Sequence, residues 1–142
     1  MQSARFGSCL AAILLASAAL LAPAARAGEP AAGFSVVTAP LAAKVGQAAT
    51  TQVVIKAAPG YHINKEFPTS LKLDPTAGID IPKPKLSKAD AKLSESEGSF
   101  EVALTAREAG KKTIAGTLAF AVCTATTCDP QRVKVAIAVD AK

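Results

Sequence analysis

The chain has 142 residues, of which 50% are hydrophobic and 4% aromatic, and its formal net charge is +5. A single Tyr, no Trp and no group of basic residues beside aromatic ones argue against nucleic-acid binding. The length suits one domain with its own hydrophobic core.

The N-terminal residues have the features of a secretory signal peptide. Arg5 supplies an early positive charge, an apolar stretch runs over residues 9–21, and Ala25-Arg26-Ala27 matches the small-x-small pattern of a cleavage site. The apolar stretch is shorter than the roughly 20 residues of a membrane-spanning helix. We therefore expect residues 1–27 to be removed, and residues 28–142 to form one domain that is exported to the periplasm and does not span the membrane.

β-strand patterns dominate the first half of the predicted domain. The segments are apolar and β-branched, and they are separated by proline and glycine, as at Pro59-Gly60. Residues 75–98 are rich in Pro, Lys and Ser and predict a loop, with a short helical turn over residues 87–93. The strands predicted here cover residues 34–40, 49–60, 61–64 and 70–74.

The last third of the chain alternates between apolar and polar residues. This period of two predicts strands over residues 99–107, 113–122 and 132–139, with a turn at residues 110–112. Several short strands with turn signals and no long helical pattern predict an all-β, immunoglobulin-like β-sandwich. The predicted core residues of this region are Ile114, Leu118, Phe120, Val133, Val135 and Ile137.

Cys123 and Cys128 are the two cysteines that remain once Cys9 leaves with the signal peptide. If they face each other across the loop of residues 124–127, apolar residues of the two flanking strands also face each other, whereas a shift by one residue sets apolar against polar. Paired residues of antiparallel strands have Cα atoms roughly 4.5–5.5 Å apart, which permits a disulfide. The opposed apolar pairs are Leu118 with Val133, Gly116 with Val135, and Ile114 with Ile137.

The same register predicts that both sulfurs lie on the face away from the main core, toward solvent or a covering loop. A bridge that closes so short a loop stabilises the chain by about 2–3 kcal/mol on the loop-entropy model. Accessible bridges of this kind are easily reduced, so a structural staple and an exchanging pair both remain open. Arg132 lies roughly 13 Å along the strand and Asp129 has the wrong sign, so neither activates a thiol. Pro130 predicts an edge strand.

The segment "PGYHIN", a Pro-rich middle and "GTLAFAVCTATTCDPQRVKVAIAV" resemble the N-terminal periplasmic domain of the transmembrane disulfide reductase DsbD. The resemblance covers residues 45–139 and centres on the Cys-x(4)-Cys-x-Pro pattern. It implies an immunoglobulin-like sandwich in which Cys123 and Cys128 are the redox pair. It also implies thioredoxin-fold or DsbD-type membrane redox proteins as partners, with the domain acting as a relay component and not as a self-sufficient enzyme.

The sequence departs from this family in one respect that concerns the cysteines. The family shields its pair with a loop that carries an aromatic residue, and the corresponding residues 83–98 contain none. Leu86 and Leu93 are the apolar residues available there as substitutes.

Other chemistries have little support in the sequence. His62 is the only histidine, and nothing in its spacing brings it to the cysteines, so we expect a turn residue and no metal. No pattern indicates a cofactor or a hydrolytic site. Two functions remain: a thiol–disulfide relay domain that uses Cys123 and Cys128, and an immunoglobulin-like binding or structural module whose disulfide is inert.

Overall fold

The alternating segments of the sequence form two β-sheets that pack face to face. The computed structural model describes residues 33–142, so the predicted signal peptide lies outside the described residues. A short 3₁₀ turn, Lys88–Asp90, separates two of the strands. The strands are β1 (Phe34–Thr38), β2 (Leu41–Ala43), β3 (Ala48–Ala57), β4 (His62–Ile63), β5 (Ser70–Leu73), β6 (Ile79–Asp80), β7 (Lys85–Leu86), β8 (Ala91–Leu93), β9 (Glu97–Ala106), β10 (Gly110–Cys123) and β11 (Cys128–Ala141).

One sheet has five strands and the other has six. The five-stranded sheet has the order β1-β3-β9-β6, and β8 also pairs with β9. The six-stranded sheet has the order β2-β11-β10-β5-β7, and β4 also pairs with β10. All described pairings are antiparallel except that of β2 with β11. The predicted all-β, immunoglobulin-like β-sandwich is confirmed.

The core lies between the two sheets and takes one face of each strand. Phe34 of β1 and Phe120 of β10 meet across it edge to face, with ring centroids 4.8 Å apart. The predicted core is confirmed, although Val133 is only partly buried where β11 runs toward the end of the sandwich. Fully buried partners from the opposite sheet include Val53, Ile55, Phe100, Val102 and Leu104.

Several boundaries differ from the sequence-based expectations. The predicted turn at residues 110–112 is wrong, because β10 already begins at Gly110 and the chain reverses over residues 107–109. The predicted loop of residues 75–98 contains three two- or three-residue strands and the start of β9, and the helical turn is present as the 3₁₀ turn. The parallel strand β2 was not predicted, since three residues after a proline carry no periodic signal.

No helix within residues 33–142 is long and apolar enough to cross a membrane.

Candidate functional site

The hairpin of β10 and β11 positions the two cysteines. The strands pair along their whole length, and Cys123 with Cys128 is the last pair before the loop. The three apolar pairs expected from the register, including Leu118 with Val133, are all present. The register therefore follows from the hydrophobic pattern, as predicted.

The two sulfurs are joined in a disulfide, and the Cα atoms of Cys123 and Cys128 are 3.9 Å apart. This separation is shorter than the 4.5–5.5 Å expected for paired residues. The loop of residues 124–127 is closed by hydrogen bonds of its own: the N–H of Thr124 donates to the carbonyl of Thr127, with an N···O distance of 2.7 Å. The Thr124 hydroxyl also accepts from the N–H of Thr126 and of Thr127, at 3.3 and 3.2 Å.

The two cysteines differ in their exposure to solvent. Cys128 is exposed, whereas Cys123 is only 2% exposed. Both lie on the face predicted, away from the inter-sheet core, and β4 pairs with β10 at Cys123. A thiol of another protein can therefore reach Cys128 from solvent, whereas Cys123 is buried.

The side-chain amide of Asn64 points toward the sulfur of Cys128. Its backbone N–H donates to the carbonyl of Ala121 on β10 at 2.9 Å, which ties the residue to the hairpin. Its Oδ1 accepts from the N–H of Glu66 at 2.9 Å and of Phe67 at 3.3 Å. With the oxygen used in this turn, Nδ2 faces Cys128 Sγ at 3.8 Å. An N–H donor at a sulfur stabilises the thiolate relative to the thiol.

His62 lies directly opposite Cys123 in the pairing of β4 with β10. Paired residues have Cβ atoms about 4.5–5.5 Å apart and point to the same face, and the His62 side chain is exposed. The expectation that nothing brings the histidine to the cysteines is therefore wrong, because the strand β4 was not placed beside β10 by the sequence. Even so, no group of three His, Cys, Asp or Glu residues within 33–142 is arranged to hold a metal ion.

Residues 83–98 do not supply an apolar substitute for the missing aromatic shield. Leu86 is buried in the inter-sheet core and Leu93 packs against that core. The segment that reaches the disulfide is instead the Asn64–Thr69 loop, which leaves β10 at Ala121 and rejoins it where Ser70 pairs with Ala119. Sequence reasoning missed this loop because its position depends on two short strands pairing with the same side of β10.

The edge predicted from Pro130 is present at the disulfide end of β11. Among the described residues, the strand beside β11 on its outer side is β2, and it pairs only with Val139–Ala141. Beside Cys128 and Pro130, the outer edge of β11 is therefore not paired with another described strand. Arg132 lies opposite Ala119, four pairs along the ladder from the disulfide, or roughly 13 Å at strand rise.

No protein-family model matches the chain, and no curated protein sequence matches it significantly. Among solved structures it is similar to AggA, the major subunit of aggregative adherence fimbriae type I from Escherichia coli, with a TM-score of 0.42, 12% identity and coverage of 77% of this chain and 94% of that one. It is also similar to the CooA pilin subunit from enterotoxigenic Escherichia coli (TM-score 0.36, 12% identity, 78% and 97% covered). A PapD-like domain of human CEP192 gives a TM-score of 0.32 with 11% identity, and 90% and 96% are covered. Similarity at this level assigns neither a family nor a function.

Proposed function

We propose that the chain is an exported sandwich domain whose Cys123–Cys128 disulfide exchanges with the thiols of partner proteins. The single observation that carries this proposal is the difference in exposure between the two cysteines, with Cys128 open to solvent and Cys123 covered. The hairpin places the bridge at the end of the sandwich, where a partner has room to approach. The resemblance to the N-terminal domain of DsbD supports the same function.

The exchange proceeds in two steps that move two electrons. A partner thiolate attacks Cys128 Sγ along the sulfur–sulfur axis, the bond to Cys123 Sγ breaks, and its electron pair leaves on Cys123, which takes up a proton. A second thiolate of the partner then attacks the partner's own sulfur in the mixed disulfide and releases the Cys128 thiolate. The chain ends as a dithiol and the partner as a disulfide, and the reverse sequence reduces a disulfide of a client.

The residues around the bridge assist particular atoms in this sequence. Asn64 Nδ2 donates toward the Cys128 sulfur, so it stabilises the thiolate that leaves in the second step. His62 lies opposite Cys123, whose sulfur leaves in the first step. Both residues belong to the short segment that is hydrogen-bonded to β10 beside the bridge.

Trapping a mixed disulfide tests the proposal. In a Cys123→Ala variant the exposed Cys128 keeps its access to partners and should form a mixed disulfide with a thioredoxin-fold protein in the periplasm. The matched Cys128→Ala variant leaves only the covered sulfur and should trap much less. Absence of any trapped partner, together with a reduction potential well below about −300 mV, the range of structural bridges, would overturn the proposal.

The second candidate is an immunoglobulin-like binding or structural module with an inert bridge. It is favoured by the hairpin itself, since β10 and β11 already pair over their full length and the cysteines only extend that ladder. Under this function both cysteine variants keep the binding surface, and neither forms a mixed disulfide. The potential and the trapping experiment separate the two candidates.

A further inference from the structure

The outer face of the six-stranded sheet carries four basic side chains close together. Thr117 on β10 pairs with Lys72 on β5 and with Lys134 on β11, and Lys72 pairs in turn with Lys85 on β7. Directly paired residues point to the same face of a sheet, so three lysines stand in one row across four strands. Arg132 lies two residues from Lys134 on the same face. We refer to Lys72, Lys85, Arg132 and Lys134 as the basic face.

The charges of the basic face are not neutralised within the described chain. All four side chains are exposed, and none of them forms an ion pair with a described acidic residue. Lys134 Nζ donates to Thr117 Oγ1 at 3.1 Å, which holds that ammonium over the middle of the row. A depression of about 350 Å³ lies among them and is lined by Ser70, Lys72, Lys85, Thr117, Ala119 and Arg132.

Among the described residues, two acidic side chains near this face are Glu66 and Asp74. Glu66, in the loop beside the disulfide, lies 3.7 Å from Lys88 Nζ, measured from its carboxylate oxygen. Asp74 follows β5 at the opposite end, where its N–H donates to the carbonyl of Ala115. Like charges within one or two strand spacings repel each other. This repulsion lowers the stability of the free protein, and an anionic partner would relieve it.

The basic face and the disulfide share one side of the sheet. Cys128, Pro130, Arg132 and Lys134 alternate with inward-facing residues along β11 and therefore point the same way. At strand rise, Arg132 is roughly 13 Å and Lys134 roughly 20 Å from Cys128. A folded partner whose thiol contacts Cys128 is therefore large enough to contact these charges at the same time.

We propose that the basic face docks an acidic patch on the protein whose thiol attacks Cys128, an inference that rests on the proposed exchange function. Opposite charges raise the rate of encounter and fix the orientation in which the two surfaces meet. The charges extend over three strand spacings, roughly 14 Å across the sheet, and roughly 7 Å along β11, an area that matches a patch of several carboxylates on a folded partner.

Two cysteine peptides of opposite charge probe this surface. In one, the cysteine is followed by three glycines and four glutamates, and in the other the glutamates are replaced by lysines. Four residues of extended peptide span roughly 13 Å, the distance from Cys128 to Arg132. The uncharged reductant dithiothreitol reports the reactivity of the bridge without any docking. The rate at which each thiol reduces the oxidised chain is measured at low and at high salt.

The variant that removes the basic face changes all four of its residues to Gln. A matched control changes four exposed lysines on other parts of the surface to Gln, so that both variants lose the same net charge. Circular dichroism and thermal unfolding confirm that each variant is folded. The control positions are Lys44, Lys56, Lys92 and Lys111.

At low salt the acidic peptide should reduce the wild-type chain about tenfold faster than the basic peptide, a typical effect of electrostatic steering. This advantage should disappear in the basic-face variant and in about 0.5 M salt, and it should persist in the control variant. Dithiothreitol should reduce all three proteins at similar rates.

Two different failures are distinguishable. If dithiothreitol reduces the native bridge readily but the acidic peptide has no advantage, or keeps it in the basic-face variant, the docking proposal is wrong and the exchange function stands. If neither peptide nor dithiothreitol reduces the native bridge, the exchange function fails. A short oligonucleotide that binds the basic face more tightly than the acidic peptide would assign the face to a different kind of partner and overturn the proposal.

Discussion

The side-chain amide of Asn64 faces the exposed sulfur of the bridge, with Nδ2 at 3.8 Å from Cys128 Sγ. The same side chain accepts two backbone N–H groups through Oδ1, so its orientation is set by the turn that it closes. Replacement by Asp retains both accepted hydrogen bonds, removes the donor and places a negative charge beside the sulfur. It therefore separates the role of the amide at the sulfur from its role in the turn.

In a Cys123→Ala background, Asn64→Asp should make the Cys128 thiol less reactive, because the carboxylate disfavours the thiolate. Alkylation by iodoacetamide should slow at neutral pH, and the midpoint of its pH dependence should move upward. Glu66→Gln serves as a control for a change of charge in the same loop. An alkylation profile unchanged by Asn64→Asp would show that the amide does not act on the sulfur.

The difference in exposure between the cysteines predicts a difference in thiol reactivity. Cys123→Ala leaves the exposed Cys128 free, and Cys128→Ala leaves the buried Cys123 free. Under native conditions the first variant should react with a thiol reagent roughly tenfold faster or more, since a buried thiol is both less accessible and less ionised. In denaturant the two variants should react at equal rates. Equal rates under native conditions would contradict the assignment of Cys128 as the attacked sulfur.

Removal of the bridge should cost little stability. In the Cys123→Ala/Cys128→Ala double variant, the free energy of unfolding should fall by about 2 kcal/mol, the value that the loop-entropy model gives for so short a loop. Urea denaturation of the oxidised wild type and the variant measures this difference. A loss above about 5 kcal/mol would indicate that the bridge is a structural staple.

Leu118 and Thr117 are neighbours on β10 that face opposite sides of the sheet, so their replacement by Ala should destabilise the fold to different extents. Leu118 is fully buried, and Leu118→Ala should lower the free energy of unfolding by about 2–5 kcal/mol, as other buried Leu truncations do. Thr117 points outward, where it accepts a hydrogen bond from Lys134, and Thr117→Ala should cost less than about 1 kcal/mol. Chemical denaturation of both variants would reveal an inverted face if Thr117→Ala were the more damaging change.

A carboxylate at the 3₁₀ turn gives the fold one acid-sensitive contact. The side chain of Lys83 and the backbone N–H of Ser87 lower the pKa of Asp90 from 3.8 to about 2. Because the folded-state pKa is depressed, the contribution of the ionised group is present above pH 3.8 and is lost as the pH falls through about 2. Carbon-detected NMR titration should place the Asp90 midpoint near 2, and Lys83→Met should move it upward while Lys85→Met should not.

The sequence was sufficient to predict the long alternating strands and the register of their last hairpin. The pairing of Leu118 with Val133 and of Cys123 with Cys128 follows from local register, because a hairpin brings together residues that are near in the chain. The position of Asn64 and His62 does not, since β4 has two residues and no periodic pattern. The sequence left open whether the cysteines face solvent or a covering loop, because the pairing of β4 beside Cys123 carries no local signal.

The short loop of the β10–β11 hairpin also affects the order in which parts of the chain fold. The two cysteines are five residues apart in sequence, and the loop between them closes on the time scale of a local hairpin, microseconds in ordinary chains. Contacts between β1 and β3, β3 and β9, or β2 and β11 join segments much further apart and form more slowly. The two cysteines can therefore meet before the two sheets have assembled, although the oxidation that joins them takes seconds or longer.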